Sequence, residues 1–87
     1  MEPIRVLVVD DSVVIRRLLT AVLDSAPDIE VVGYSTNGRL ALEKIKQLEP
    51  DVVSLDIMMP EMDGIECVRE LRKTWKHMPV IMFSSLT

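Results

Sequence analysis

An α/β domain built on a doubly wound parallel sheet is what this sequence predicts, and three observations carry the prediction. Short apolar, β-branched runs alternate with stretches of helical periodicity, in the order β-α-β-α-β-α-β. The connections between them are short and carry breakers and capping residues, as at Ala26-Pro27-Asp28, Ser35-Thr36-Asn37-Gly38, Glu49-Pro50 and His77-Met78-Pro79. Two of the runs, Ile4-Arg5-Val6-Leu7-Val8-Val9 and Val52-Val53-Ser54-Leu55, end abruptly in carboxylates, Asp10-Asp11 and Asp56. Open α/β sheets place their chemistry at the C-terminal ends of their strands.

The elements follow in order. Ile4 to Val9 is almost continuously apolar, which suits a strand buried on both faces. From Ser12 the period changes: Ile15, Leu18, Leu19 and Val22 make one helical stripe, with Asp11 or Ser12 as the cap and Ala26-Pro27-Asp28 as the stop. Ile29 to Tyr34 is a second strand, and Ser35-Thr36-Asn37-Gly38 turns into a helix carrying Ala41, Ile45 and Leu48 on one face, ending at Glu49-Pro50. Val52 to Leu55 is the third strand. Gly64 opens a third helix with Val68, Leu71 and Trp75 on its stripe, and Asp63 with Glu66 has the spacing of a capping box. His77-Met78-Pro79 breaks it, and Val80-Ile81-Met82-Phe83 is a fourth strand leading to Ser84-Ser85. Right-handed crossovers then place helices on both faces of the sheet.

At 87 residues, 48% hydrophobic and 28% charged, the chain has the composition of one small globular domain. A net charge of −4, with the acids and bases interspersed, speaks against nucleic-acid or anionic-membrane binding. The single Cys67 cannot make an intrachain disulfide. No apolar stretch approaches the ~18 residues of a spanning helix, and no basic-then-apolar leader opens the sequence, so the cytoplasm is the expected location.

If the first and third strands are parallel neighbours, Asp10, Asp11 and Asp56 meet at one sheet edge and repel unless a cation joins them. Oxygen-only ligands in an open cleft suit Mg²⁺ or Mn²⁺, whereas one Cys and one His are too few for zinc. An Asp beside such a cation can act as a nucleophile toward phosphorus, giving an aspartyl phosphate. Ser84, at the next strand's end, can supply a hydroxyl donor. Other polar and soft residues have blander readings. Asp63 reads as a helix cap, Met58, Met59 and Met62 as packing, Cys67 as a small, partly buried residue, His77 as structural, and Arg16 and Arg17 as a solvated helix face.

Asp10-Asp11 after the first strand, Asp56-Ile57-Met58-Met59-Pro60-Glu61-Met62-Asp63-Gly64, and Pro79-Val80-Ile81-Met82-Phe83-Ser84-Ser85 together resemble the response-regulator receiver domain of two-component signalling. Within that family, Arg5 to Ser12 and Ser84-Ser85-Leu86-Thr87 look most like the N-terminal receivers of chemotaxis protein-glutamate methylesterases. The resemblance implies a flavodoxin-like strand order 2-1-3-4, with a fifth strand and the last helices missing, so that residues 1–87 are a single receiver incomplete at its C-terminus. It implies that Asp56 accepts a phosphoryl group from a histidine kinase. Asp10, Asp11, Asp56 and the Met58 main-chain carbonyl would hold Mg²⁺, and Ser84 would be the switch hydroxyl. It further implies a C-terminal output domain, with any methylesterase activity residing there and not in these residues.

Two departures qualify the resemblance. The family's phosphoryl-contacting Lys and its switch aromatic belong to the fifth strand and would lie beyond Thr87, and none of Lys44, Lys46, Lys73 or Lys76 stands at a strand end to take the Lys role. The second residue after Asp56 is Met58, where the family commonly has a polar or acidic residue, and this bears on autodephosphorylation. Three other readings stand beside the receiver. The first is a truncated receiver that binds Mg²⁺, is not phosphorylated and self-associates or swaps through an open Val80–Phe83 edge. A Mg²⁺-dependent phosphohydrolase would want a second acid where Met58 stands. A dinucleotide-binding domain would want a Gly-rich turn where Asp10-Asp11-Ser12 stands.

Overall fold

A computed structural model describes residues 2–59 and 62–83. Ser84, Pro60 and Glu61, which figured in the expected site and its loop, lie outside the described residues. The elements run β1 (Ile4–Val9), α1 (Val13–Asp24), β2 (Ile29–Ser35), α2 (Gly38–Leu48), β3 (Val52–Asp56), α3 (Gly64–Thr74) and β4 (Val80–Phe83). All the strand pairs are parallel and the sheet order is β2-β1-β3-β4, the order expected. Strands β2 and β3 each run one residue further than their apolar patterns indicate, to Ser35 and Asp56, because ladder pairing continues past the last apolar side chain.

Each helix begins where a short polar side chain can satisfy an amide that the first turn leaves free. Ser12 Oγ accepts from the Ile15 N–H at 3.3 Å, Asn37 Oδ1 from the Leu40 N–H at 2.9 Å, and Asp63 Oδ1 from the Glu66 N–H at 2.9 Å. Of the two candidate caps for α1, it is therefore Ser12 that caps, and Asp11 stays exposed. Helix α2 ends on Glu49, a non-glycine residue in the left-handed region (φ 49°), whose N–H still reaches the Ile45 carbonyl.

The pleat sorts the central strands onto two faces. Leu7, Val9, Val53 and Leu55 form one buried cluster with Ala41 and Ile45 of α2, Cys67 and Leu71 of α3, and Met59. Val6 and Val8, buried but outside that cluster, alternate onto the opposite face, where α1 packs. Helices α2 and α3 approach closely enough that a Cβ on Gly38 would stand 2.8 Å from the Met62 carbonyl oxygen and 3.1 Å from the Cys67 Cβ.

Four expectations need correction. The sheet-facing stripe of α1 is Ile15, Leu19 and Leu23, all half-buried, while Leu18 and Val22 are 58% and 66% exposed. The reason is that packing against β2 and β1 decides which rows of the helix are covered, and the helix's own periodicity does not specify it. Cys67 is fully buried rather than partly so, sealed between α3 and the start of α2, and burial pushes its thiol up to about 11. Met59 is buried and Met62 packs against the core, but Met58 is exposed and packs no core. Arg16 is half-buried and engaged, as described below, whereas Arg17 is exposed.

Candidate functional site

The register of β1 on β3 determines where the acids fall. Val9 stands opposite Leu55, so the next residue of each strand is an aspartate, and Asp10 and Asp56 emerge side by side at the C-terminal edge of the sheet. Asp11, one residue on, joins them. One carboxylate oxygen from each of Asp10, Asp11 and Asp56 lies within 4.8 Å of the others. The expected convergence of three acids is thus present. Asp10 and Asp56 are 0% and 1% exposed, and Asp11 faces solvent at the mouth.

Each buried acid is held by main chain. The Asp10 N–H continues the β1–β2 ladder to the Ser35 carbonyl at 3.0 Å, and Asp10 Oδ1 accepts the Ser12 N–H at 2.8 Å. Its other oxygen, Oδ2, is buried and has no hydrogen-bond partner among the described residues. Asp56 Oδ1 accepts the Met58 N–H at 3.0 Å, which turns the chain sharply after β3. The Ile57 N–H then bonds the Phe83 carbonyl at 2.9 Å, tying the turn to the end of β4.

The start of α3 is pressed against this turn. The Gly64 N–H donates to the Ile57 carbonyl at 3.0 Å, and a Cβ on Gly64 would stand 2.7 Å from Ile57 Cα and 2.8 Å from the Asp56 carbonyl oxygen. Only a residue without a side chain lets the helix approach the strand end this closely. Asp63 lines the same depression as Asp11 and Met58 but spends an oxygen on its own helix cap, as the sequence suggested.

Three negative charges at one edge are electrostatically expensive. Burial pushes the Asp10 carboxyl above its ordinary range; the Asp56 and Asp11 charges push the same way, against the Ser12 N–H and Arg16. A buried carboxylate with an unpartnered oxygen, two further carboxylates within reach and an open mouth beside Met58 form an all-oxygen donor set. Hard divalent cations take such sets.

Sequence reasoning missed what supports the acids: the Ser12 amide, the Ser35 carbonyl, the Gly64 contact and Arg16. The first and third had a signal, because a polar residue two after a strand-end Asp and a Gly at a helix start are both visible. The others depend on which strand lies beside which. No described helix is long and apolar enough to cross a membrane.

The chain is 63% identical over its whole length to a protein-glutamate methylesterase/protein-glutamine glutaminase of Nocardioides sp., of which it covers 24%. It spans about a quarter of the length of the curated relatives it matches. Among solved structures it is similar to the response regulator domain of Thermotoga maritima CheB, with 48% identity and a TM-score of 0.89 over 99% of this chain and 63% of that one. It is likewise similar to a chain in the CheX–CheY–BeF3–Mg²⁺ complex from Borrelia burgdorferi, at 38% identity and a TM-score of 0.91 over 98% and 64%. The family model described as the response regulator receiver domain matches residues 6–87. With nearly every residue inside that match and the sheet order to go with it, the chain belongs to the response regulator receiver domain family.

Proposed function

We propose that residues 1–87 form a phosphoacceptor unit in which Asp56 takes a phosphoryl group from a phosphohistidine on a kinase, with Mg²⁺ held by Asp10, Asp11 and Asp56. The observation that carries this reading is the buried Asp10 carboxylate, within reach of two other carboxylates and with an oxygen that has no hydrogen-bond partner among the described residues. Two acids are buried at one edge and, among the described residues, neither is in a salt bridge, an arrangement that favours a cation from solution. Mg²⁺ is the reading favoured by the oxygen donors and by a mouth wide enough to leave water on the ion.

The chain's own residues then have separate tasks. Asp56 attacks phosphorus through a carboxylate oxygen; a new O–P bond forms as the donor's P–N bond breaks, and the released imidazole takes up a proton. The Met58 N–H, which already donates to Asp56 Oδ1, fixes the rotamer from which the attack starts. Asp10, held through Ser12 and Ser35, cannot swing away from the edge. Bound Mg²⁺ would supply charge neutralisation for the incoming phosphoryl oxygens. The Met58 carbonyl and the Ser84 hydroxyl complete the proposed site as cation ligand and phosphoryl contact.

The similarity to methylesterase receivers supports a further step: phosphorylation regulates a C-terminal catalytic domain in the parent protein. Turnover of a separate phosphate ester is disfavoured, because Met58 puts a thioether where a second acid would be required.

The test is incubation with acetyl phosphate and Mg²⁺. A single phosphoryl mass gain on Asp56, absent in Asp56→Asn and abolished by EDTA, is expected. Its absence from the wild-type chain would sink the proposal, and continuous phosphate release from added phosphate monoesters would favour a hydrolase.

A further inference from the structure

We propose that Arg16 is a positioning residue for the acid pocket: seated on the ring of Tyr34, it holds the Asp10 main chain in the conformation that presents Oδ2 to a cation. The inference rests on the cation reading above. Arg16 Nη1 donates to the Asp10 carbonyl at 3.0 Å, and its guanidinium carbon lies 4.8 Å from the centroid of the Tyr34 ring. The side chain thus bridges α1, the edge strand β2 and the exit of β1.

Its bond answers a specific need. Asp10 is the first residue beyond β1, and its amide is still in the ladder through Ser35. Its carbonyl has left the ladder, and the peptide that follows must turn so that Ser12 can reach back to Oδ1. Among the described residues, Arg16 is the one side chain that holds that carbonyl. A guanidinium suits the task because its planar fork can stack on an aromatic face and still present an N–H edge-on. Tyr34 in turn stands opposite Val8 on the edge strand, so the seat is fixed to the same part of the sheet that carries Asp10.

Positioning and simple charge predict opposite signs, which makes the inference testable. Arg16 is a positive charge near a cation site, so if charge were all that mattered, Arg16→Gln would tighten Mg²⁺ binding. Loss of positioning loosens it. By analogy with outer-shell partners of metal ligands, the expected loss for Arg16→Gln is on the order of 10-fold in Mg²⁺ affinity, measured by titration calorimetry. Tyr34→Leu, which alters no charge, should move affinity in the same direction. Tyr34→Phe keeps the ring and should restore wild-type affinity, and the Arg16→Gln/Tyr34→Leu pair should lose no more than Arg16→Gln alone.

Unchanged or tighter Mg²⁺ binding in Arg16→Gln overturns the proposal, as does a strictly additive double variant. A fall in thermal stability with unchanged affinity also overturns it, since that is what a merely structural arginine would give. Amide exchange at Ser12, whose N–H is held by Asp10 Oδ1, measured without metal, separates this inference from the cation reading. Exchange several-fold faster in Arg16→Gln supports the clamp even if the wild-type chain binds no Mg²⁺, and unchanged exchange counts against it.

Discussion

At the scale of single residues, Asp10 sets the balance between stability and the proposed cation site. Its carboxyl is held above its ordinary range by burial first and by Asp56 and Asp11 next. The sign of the linkage follows. Below the ordinary value of 3.8 both folded and unfolded chains carry the proton, and Asp10 costs nothing. As pH rises from there to the raised native value, the unfolded chain gives up its proton first, so stability falls across that window. The cost is complete once the pH has passed the raised native value. Asp10→Asn removes the charge while keeping an oxygen for the Ser12 N–H. It should therefore stabilise the metal-free chain at pH 7 and raise its Tm. Below the window the difference should vanish, and millimolar Mg²⁺ should close it at pH 7 by stabilising the wild type alone. Thermal melts at two pH values, with and without Mg²⁺, check all three outcomes. The acids themselves were legible in the sequence, because a carboxylate that ends an apolar strand has its direction set by the strand. Arg16 was not. On the helix it is one of two adjacent arginines, and what distinguishes it from Arg17 is the Tyr34 ring on another strand.

At the scale of elements, the same contrast between local and non-local information recurs. Strand cores, helix starts and their caps followed from composition and short-range spacing, since Ser12, Asn37 and Asp63 each act within three residues. The buried stripe of α1 did not. Ile15, Leu18, Leu19 and Val22 fit a helical face as well as Ile15, Leu19 and Leu23 do, and only the packing against β1 and β2 separates them. The junction of β3 and α3 lies between these cases. Gly64 is visible as a helix start, but the 2.8 Å approach to the Asp56 carbonyl is a property of the packed structure. Neither the strand end nor the Ile57 backbone can give way as a flexible side chain would. Gly64→Ala should cost about 1–3 kcal/mol in urea denaturation. It should also weaken acetyl-phosphate labelling of Asp56 in the population that remains folded, because the displaced atoms are those of the proposed acceptor's own peptide. Wild-type labelling in a folded Gly64→Ala chain would show that the close approach is packing only.

At the scale of the whole molecule, the two sides of the sheet are unequally built, and stability should follow that asymmetry. The side under α2 and α3 holds the buried cluster, in which Leu7, Val9, Ile45, Leu55 and Leu71 are wholly removed from solvent. Helix α1, on the other side, contributes no fully buried residue, and Val14, Leu18 and Val22 are 65%, 58% and 66% exposed along one flank. The acid pocket draws on both sides: Asp56 is backed by α3, and Asp10 by α1 through Ser12 and Arg16. Truncating a residue of the α2–α3 side removes both transfer energy and packing, and leaves a cavity the sheet cannot collapse into. Ile45→Ala and Leu71→Ala should each lower the unfolding free energy by about 2–5 kcal/mol, a large part of the roughly 5–15 kcal/mol a domain has. Leu18→Ala takes away a side chain that water already reaches, and should change stability by no more than about 0.5 kcal/mol. Urea denaturation of the three variants beside the wild type measures the difference. A loss for Leu18→Ala comparable to that for Leu71→Ala would show that the flank of α1 is covered by something the exposed stripe does not reveal. That result would move the stability of the Asp10 side from the ladder and the Arg16 bond to apolar burial.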